Sequence, residues 1–244
     1  MSNSYFQFKQ FTIWHDRCAM KVGTDGVLAG ALTPVFGCRR ILDVGTGSGL
    51  IALMLAQRCS EAEITAIEID AEAAAQAQEN FDASPWSDRL HLVQGDFNDF
   101  EAEVPFDLLV SNPPYFTDAL KAPDPQRSVA RHNDTLNYHQ LFLHARQLLQ
   151  PAGVCCLIIP AESETFVRDM AARSHFFPQA ITRIFTKPGK PCRRLFITYW
   201  QGSEHDLFYP GQCQENTLYL MNADSSYSAD YRALTDDFYI KLGS

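Results

Sequence analysis

Apolar positions along this chain switch repeatedly between two spacings. Short continuous runs of the kind that form buried strands occur at Arg40 to Val44, Glu63 to Glu68, Arg89 to Gln94, Phe106 to Ser111, Val154 to Pro160, Ala180 to Thr186 and Leu195 to Gln201. Between them lie stretches with helical spacing: Gly49 to Arg58, the alanine-rich Ala71 to Phe81, Tyr138 to Gln150 and Ser163 to Ser174. In Tyr138 to Gln150 the residues Leu141, Phe142, Ala145, Leu148 and Leu149 fall on one helical face, and Pro151-Ala152-Gly153 ends it. Strands alternating with helices predict an α/β fold with a doubly wound, mostly parallel sheet of about seven strands. The last two strands, joined by Lys187 to Arg194, read as a hairpin, which puts one antiparallel strand at the sheet edge.

Two flanking segments lie outside this alternation. Residues 1–36 predict one or two short strands and a helix from Thr24 to Leu32. Residues 203–244 predict an irregular extension ending in an amphipathic helix from Ala229 to Lys241. Neither is long enough for a domain of its own. The expected organisation is therefore a single domain over residues 1–244, with a core at 37–202 and both flanks packed on it.

Composition narrows the class. The chain has 244 residues, 46% of them hydrophobic, and a net charge of -9. No run is apolar enough to span a membrane, and the N-terminus lacks the apolar core of a secretion signal. Seven cysteines without a Cys-x-x-Cys pair argue against a disulfide framework or a zinc site and fit a reducing cytoplasm. His139 and His144 have the wrong helical spacing to share a metal, so no metal is expected. The acidic balance excludes indiscriminate nucleic-acid binding and requires any RNA contact to use a local basic patch.

The candidate chemistry begins at Leu42-Asp43-Val44-Gly45-Thr46-Gly47-Ser48-Gly49, a strand followed by a glycine-rich turn into a helix. Glycines there let the backbone approach a ligand. A dinucleotide fingerprint would place its third glycine at position 50, which is leucine, so NAD and FAD are disfavoured. Asp43 points to another ligand, because a carboxylate can meet the ammonium group of a methionine moiety. Glu68 ends the next strand, where it can accept from both hydroxyls of a ribose. Asp96 follows the third strand, where it can accept from an adenine amine, with Phe97 or Ile69 packing on the ring. Together these positions describe a site for S-adenosylmethionine.

Asn112-Pro113-Pro114-Tyr115 follows the strand that ends at Ser111. Methyl transfer from a sulfonium is an in-line displacement, so placing the nucleophile supplies much of the catalysis. An aromatic amine is a poor nucleophile because its lone pair is delocalised. Two acceptors facing its N–H groups, the Asn112 side-chain carbonyl and the Pro113 backbone carbonyl, favour the tetrahedral nitrogen. Consecutive prolines hold that carbonyl rigid, and Tyr115 can stack on a flat base. The residues thus predict methylation of a planar nitrogen, with a nucleic-acid base as substrate. Arg127 and Arg131, in the long loop after Tyr115, and the cluster Lys187, Lys190, Arg193 and Arg194 are candidate phosphate contacts; a plain solvated hairpin is the alternative for the cluster. Pro191-Cys192 lies in that hairpin, away from the end of the Phe106 to Ser111 strand, and is read as structural. Cys155 and Cys156 are read as core.

These motifs resemble the Rossmann-like class I methyltransferases that carry an Asn-Pro-Pro-Tyr motif, over roughly residues 20–200. The segments Lys21-Val22-Gly23-Thr24-Asp25-Gly26-Val27-Leu28 and Tyr231 to Tyr239 narrow the resemblance to the bacterial tRNA1(Val) adenine-N6 methyltransferases. The resemblance implies a class I methyltransferase fold, S-adenosylmethionine as cofactor and adenine 37 of a tRNA as target. It also implies that Thr24 and Asp25 close over the methionine end of the cofactor. Asp43, Gly45, Gly47, Glu68 and Asp96 then match cofactor positions, beside the candidates Thr46, Gly49, Ile69, Phe97 and Asn112, and Asn112 to Tyr115 match the catalytic turn. The enzyme is expected to act as a cytoplasmic monomer. The alternatives are an amine of a ribosomal RNA base and a protein glutamine amide; too few residues precede Asp43 for the helical domain of the glutamine-directed enzymes.

Overall fold

The computed structural model describes residues 3–113, 138–208 and 210–241. Strands β1 (Tyr5–Gln7) and β2 (Thr12–Trp14) pair as an antiparallel hairpin, and helix α1 (Thr24–Leu32) follows. The alternating core then runs β3 (Arg40–Val44), α2 (Leu50–Arg58), β4 (Glu63–Glu68), α3 (Ala71–Asp82), β5 (Leu90–Gln94), β6 (Phe106–Ser111), α4 (Tyr138–Leu148), β7 (Leu149–Pro160), α5 (Glu164–Arg173), β8 (Phe176–Phe185) and β9 (Cys192–Gln201). Strand β10 (Gln214–Tyr219) and helix α6 (Ala229–Thr235) complete it.

The central sheet has eight strands in the order β10-β8-β9-β7-β6-β3-β4-β5. All neighbours are parallel except where β9 lies antiparallel to both β7 and β8. The predicted mostly parallel sheet with one reversed strand is present, with two differences. The reversed strand is interior, because the hairpin folds back between β7 and β8. The edge is instead taken by β10, which pairs parallel to β8 and lies within the segment expected to be irregular. Gln214, Glu215, Asn216 and Thr217 are exposed, so β10 lacks the apolar run that marked the other strands. The last helix stops at Thr235, short of the predicted Lys241.

The sheet is buried on both faces, and successive strand residues serve opposite sides. Ile41, Leu108, Cys156, Ile158 and Phe196 join one apolar cluster with α1, α2 and α3. Leu42, Leu109, Cys155, Leu157, Leu195 and Ile197 join the other with α4 and α5. Helix ends are closed by arginines. Arg89 donates to the carbonyls of Ala56, Cys59 and Ala62 past the end of α2, and Arg58 donates to those of Gly30 and Thr33 at the end of α1. No described helix is long and apolar enough to cross a membrane.

The two chain ends meet. Phe8 pairs with Tyr239 across an isolated bridge, and Lys9 N–H donates to Phe238 O at 2.7 Å. The Phe8 ring stacks on Phe11 with centroids 4.7 Å apart and lies 5.7 Å from that of Tyr239. Phe8 is fully buried in the α1–α3 cluster, so the terminal segments are part of the core. We predict that Phe8→Ala lowers the unfolding free energy by about 3–5 kcal/mol, measured by urea denaturation. A loss below about 0.5 kcal/mol, the scale of ordinary surface substitutions, would mean that the ends are merely appended.

Candidate active site

The carboxyl ends of β3, β4, β5 and β6 lie side by side, which brings Gly45, Glu68, Asp96 and Asn112 to one edge of the sheet. The turn after β3 requires its glycines: φ is +70° at Gly45, +57° at Gly47 and +84° at Gly49. A Cβ at Gly45 or Gly47 would meet open space, so this backbone borders room for a ligand. At Gly49 a Cβ would lie 2.5 Å from the Phe81 ring, which fixes that glycine by packing as well.

Asp43 holds the turn from beneath. It is fully buried, and its Oδ2 accepts from Thr46 Oγ1 at 2.6 Å and from Ala52 N at 3.1 Å. Burial pushes its carboxyl up to about 7, against the lowering effect of those two hydrogen bonds. Its Oδ1 is also buried and has no donor among the described residues. The expected direct meeting of Asp43 with an ammonium group does not match this placement: the side chain lies under the turn, and Thr46 turns its hydroxyl inward to it.

Glu68 is nearly buried and preset. Oε2 accepts from Gly47 N at 2.8 Å and Oε1 from Asp70 N at 3.0 Å, which leaves each oxygen with acceptor capacity to spare. Asp96 is exposed, and its Oδ1 caps the short turn at Asn98. Of the two candidate ring partners, Ile69 is 61% exposed and Phe97 only 4%. Phe97 packs edge-on against His144 in the α4 cluster, so Ile69 is the apolar side chain offered to a ligand.

Asn80 was not legible as a site residue. It lies on the buried face of α3, where its amide donates to Ser48 O at 2.8 Å and Trp14 O at 2.9 Å and accepts from Trp14 N at 3.0 Å. It thereby ties the N-terminal hairpin to the glycine turn. The available signal was an amide among Ala73, Ala74, Ala77 and Phe81, the apolar face of α3.

Asn112 follows β6, whose end is fastened to β3 by Ser111 Oγ donating to Val44 O at 2.7 Å. Asn112 Oδ1 is buried without a donor among the described residues. Asn112 lines a cavity of about 580 Å³ together with Thr24, Asp25, Gly45, Thr46, Gly47 and Arg194. An acceptor without a described donor, on a residue that lines a cavity beside the glycine turn, fits an amine substrate delivered to a bound cofactor. Pro113 is buried, whereas Pro114, Tyr115, Arg127 and Arg131 lie outside the described residues.

The β8–β9 hairpin does not present its four cations as one patch. Lys187 Nζ donates to Ser225 Oγ at 3.2 Å, while Lys190 and Arg193 are exposed. Arg194 turns into the cavity, where its Nε meets Asp25 Oδ2 at 2.9 Å. Of the four candidate phosphate contacts, Arg194 is thus engaged by a carboxylate. Cys192 is structural, with Sγ donating to Arg194 O and Ile184 O, and His144 is held by Phe100 O.

The raised Asp43 pKa has a pH signature. Its neutral form is favoured by folding, so the ligand-free protein loses stability as pH rises from about 4, the unfolded value, to about 7. Asp43→Asn retains an acceptor for Thr46 and Ala52 but carries no charge. Its melting temperature relative to the parent should rise across that pH interval and level off above it. A difference independent of pH would show that Asp43 does not titrate there.

Comparison with known proteins agrees with this geometry. A family described as methyltransferase small domain matches residues 23–168. The chain is 48% identical to a tRNA1(Val) (adenine(37)-N6)-methyltransferase of Bacteroides fragilis strain YCH46, over 99% of this chain and 100% of that protein. It is 41% identical to the protein of the same description in Aeromonas salmonicida, over 98% and 99%. Among solved structures, a predicted O-methyltransferase, protein Atu636 from Agrobacterium tumefaciens, superposes with a TM-score of 0.65 at 21% identity, covering 87% of this chain and 95% of that one. The glycopeptide N-methyltransferase MtfA, solved with S-adenosylmethionine, gives 0.53 at 17%, covering 75% and 90%. These two likenesses establish the class I methyltransferase fold. The sequence relatives go further, and the chain belongs to the tRNA1(Val) (adenine(37)-N6)-methyltransferase family.

Proposed function

We propose that the protein transfers the methyl group of S-adenosylmethionine to the exocyclic N6 amine of adenine 37 in tRNA1(Val). The observation that carries this reading is Asn112, which lines the cavity that also contains the glycine turn and whose buried Oδ1 has no donor among the described residues. Full-length relatives described by that activity support the substrate.

The residues divide the work. The positive-φ backbone at Gly45 and Gly47 and the preset Glu68 carboxylate hold the cofactor, with Ile69 against its adenine and Asp96 toward the adenine amine. When bound, S-adenosylmethionine supplies an electrophilic methyl on a good leaving group. Asn112 Oδ1 accepts one N–H of the adenine amine and the Pro113 carbonyl the other, which directs the nitrogen lone pair away from the ring. That contact strengthens as the nitrogen becomes tetrahedral and positive, so it favours the transition state over the bound substrate. Pro114 and Tyr115 enter this reading from the motif alone, as the rigid turn and the stacking ring. Lys190 and Arg193 are the described cations assigned to phosphate contact.

We read residues 1–244 as one methyltransferase unit, with 1–36 closing on the cofactor, 37–202 as the catalytic core and 203–244 packed on it. A cytoplasmic monomer is part of the same reading.

Incubation with labelled S-adenosylmethionine and unmodified total tRNA, digestion to nucleosides and mass analysis is expected to give N6-methyladenosine as the labelled product. Label in ribosomal RNA or in a protein glutamine would move the substrate class. Asn112→Ala should reduce turnover by roughly 10²–10³-fold with an unchanged melting temperature, and retained turnover would remove Asn112 from the reaction.

A further inference from the structure

Arg194 lines the cavity together with Arg193, and two observations bear on its role there. The first is register. Arg194 pairs with Ile184 of β8 and Cys192 with Phe185, so Arg193 is the extra residue of a β-bulge. Bulges re-aim side chains, and Arg193 is exposed. Arg194 instead shares the parity of Phe196, which belongs to the α1–α3 cluster, and so it faces α1. The second is its partner. Asp25 stands in the first turn of α1, and the Arg194 Nε to Asp25 Oδ2 contact of 2.9 Å joins side chains that are only 29% and 24% exposed. A phosphate drawing Arg194 outward would leave Asp25 charged in a half-buried wall without this cation.

The pair lies in the cavity shared with Gly45, Thr46, Gly47 and Asn112. A cation and an anion fixed side by side complement a ligand that carries both charges in adjacent positions. The amino-acid end of S-adenosylmethionine is such a zwitterion: its α-carboxylate matches the guanidinium and its α-ammonium matches the carboxylate. Asp43 does not line this cavity, and its Oδ2 is already taken by Thr46 and Ala52. We propose that Arg194 and Asp25 together form the receptor for the zwitterionic end of the cofactor, with Arg194 binding the carboxylate. The proposal rests on the reading of this cavity as the cofactor site.

The test compares two ligands by calorimetry on the full chain. S-adenosylhomocysteine carries the amino-acid end, and 5′-methylthioadenosine keeps the nucleoside and sulfur but lacks it. Arg194→Met should weaken S-adenosylhomocysteine roughly tenfold or more, as expected for loss of a charge-assisted contact, while methylthioadenosine changes less than about twofold, within the error of non-interacting sites. Asp25→Asn should show the same selectivity. Equal loss for both ligands would overturn the proposal by making the pair a structural brace. Unchanged binding of both, with a salt slope for tRNA reduced by about 0.9, would overturn it by returning Arg194 to the phosphate contacts. If the unsubstituted protein binds neither nucleoside, the cofactor reading of the cavity fails as well.

Discussion

The site depends on a buried carboxylate that never reaches the cavity. Asp43 accepts from the hydroxyl of Thr46 within the turn and from the amide of Ala52 in the first part of α2. The strand, the turn and the helix that follows are thereby locked into one geometry. A polar group placed at full burial is costly unless it is hydrogen-bonded, so the turn must supply those donors for the chain to fold. With the turn fixed, Gly47 N–H is aimed at Glu68, and that bond in turn fixes the next strand end. The cofactor surface is preorganised by folding, as tight binding of a small flexible ligand requires.

The same sheet explains why the rest of the site converges. Parallel strands bring all their carboxyl ends to one side, and β3 sits between β4 and β6. Residues far apart in sequence, such as Glu68 and Asn112, therefore flank the turn without any dedicated loop to carry them. Strand β9 contributes differently. Because it runs antiparallel, its amino-terminal end lies on that side, and Arg194 is carried to the cavity wall opposite α1. A parallel strand in that place would have presented its carboxyl end instead.

Much of this was legible in the sequence, and the failures share a cause. Gly45, Gly47 and Gly49 announce themselves because positive φ demands glycine, and Asn112 because it follows a continuous apolar strand. Strand β10 was missed because its residues are mostly polar: it pairs along an exposed edge, where no apolar run is needed. Phe97 and Asp43 lie deeper than their place in the motif suggests, because a linear motif does not record which side chains the turn buries. Arg194 looks like its neighbour Arg193 in sequence, and only the Asp25 contact and its partial burial in the structure set it apart. Non-local pairing and burial decide each of these cases.

The separation of those two arginines bears on how an acidic protein can use an RNA substrate. With a net charge of -9, the chain has no general attraction for phosphate. Many of its cations are already committed within the fold: Lys9 to Asp236, Arg39 to Glu61, Arg173 to Asp169, Arg183 to Glu164 and Glu215, and Arg58 and Arg89 to backbone carbonyls. Lys190 and Arg193 enter none of the described ion pairs and stand at the tip and the bulge of the hairpin beside the cavity. On the proposed function, these two uncommitted charges among the described residues would add little general affinity for RNA, and selectivity would rest on placing a nucleotide at Asn112 more than on the electrostatic contact that brings the RNA to the surface.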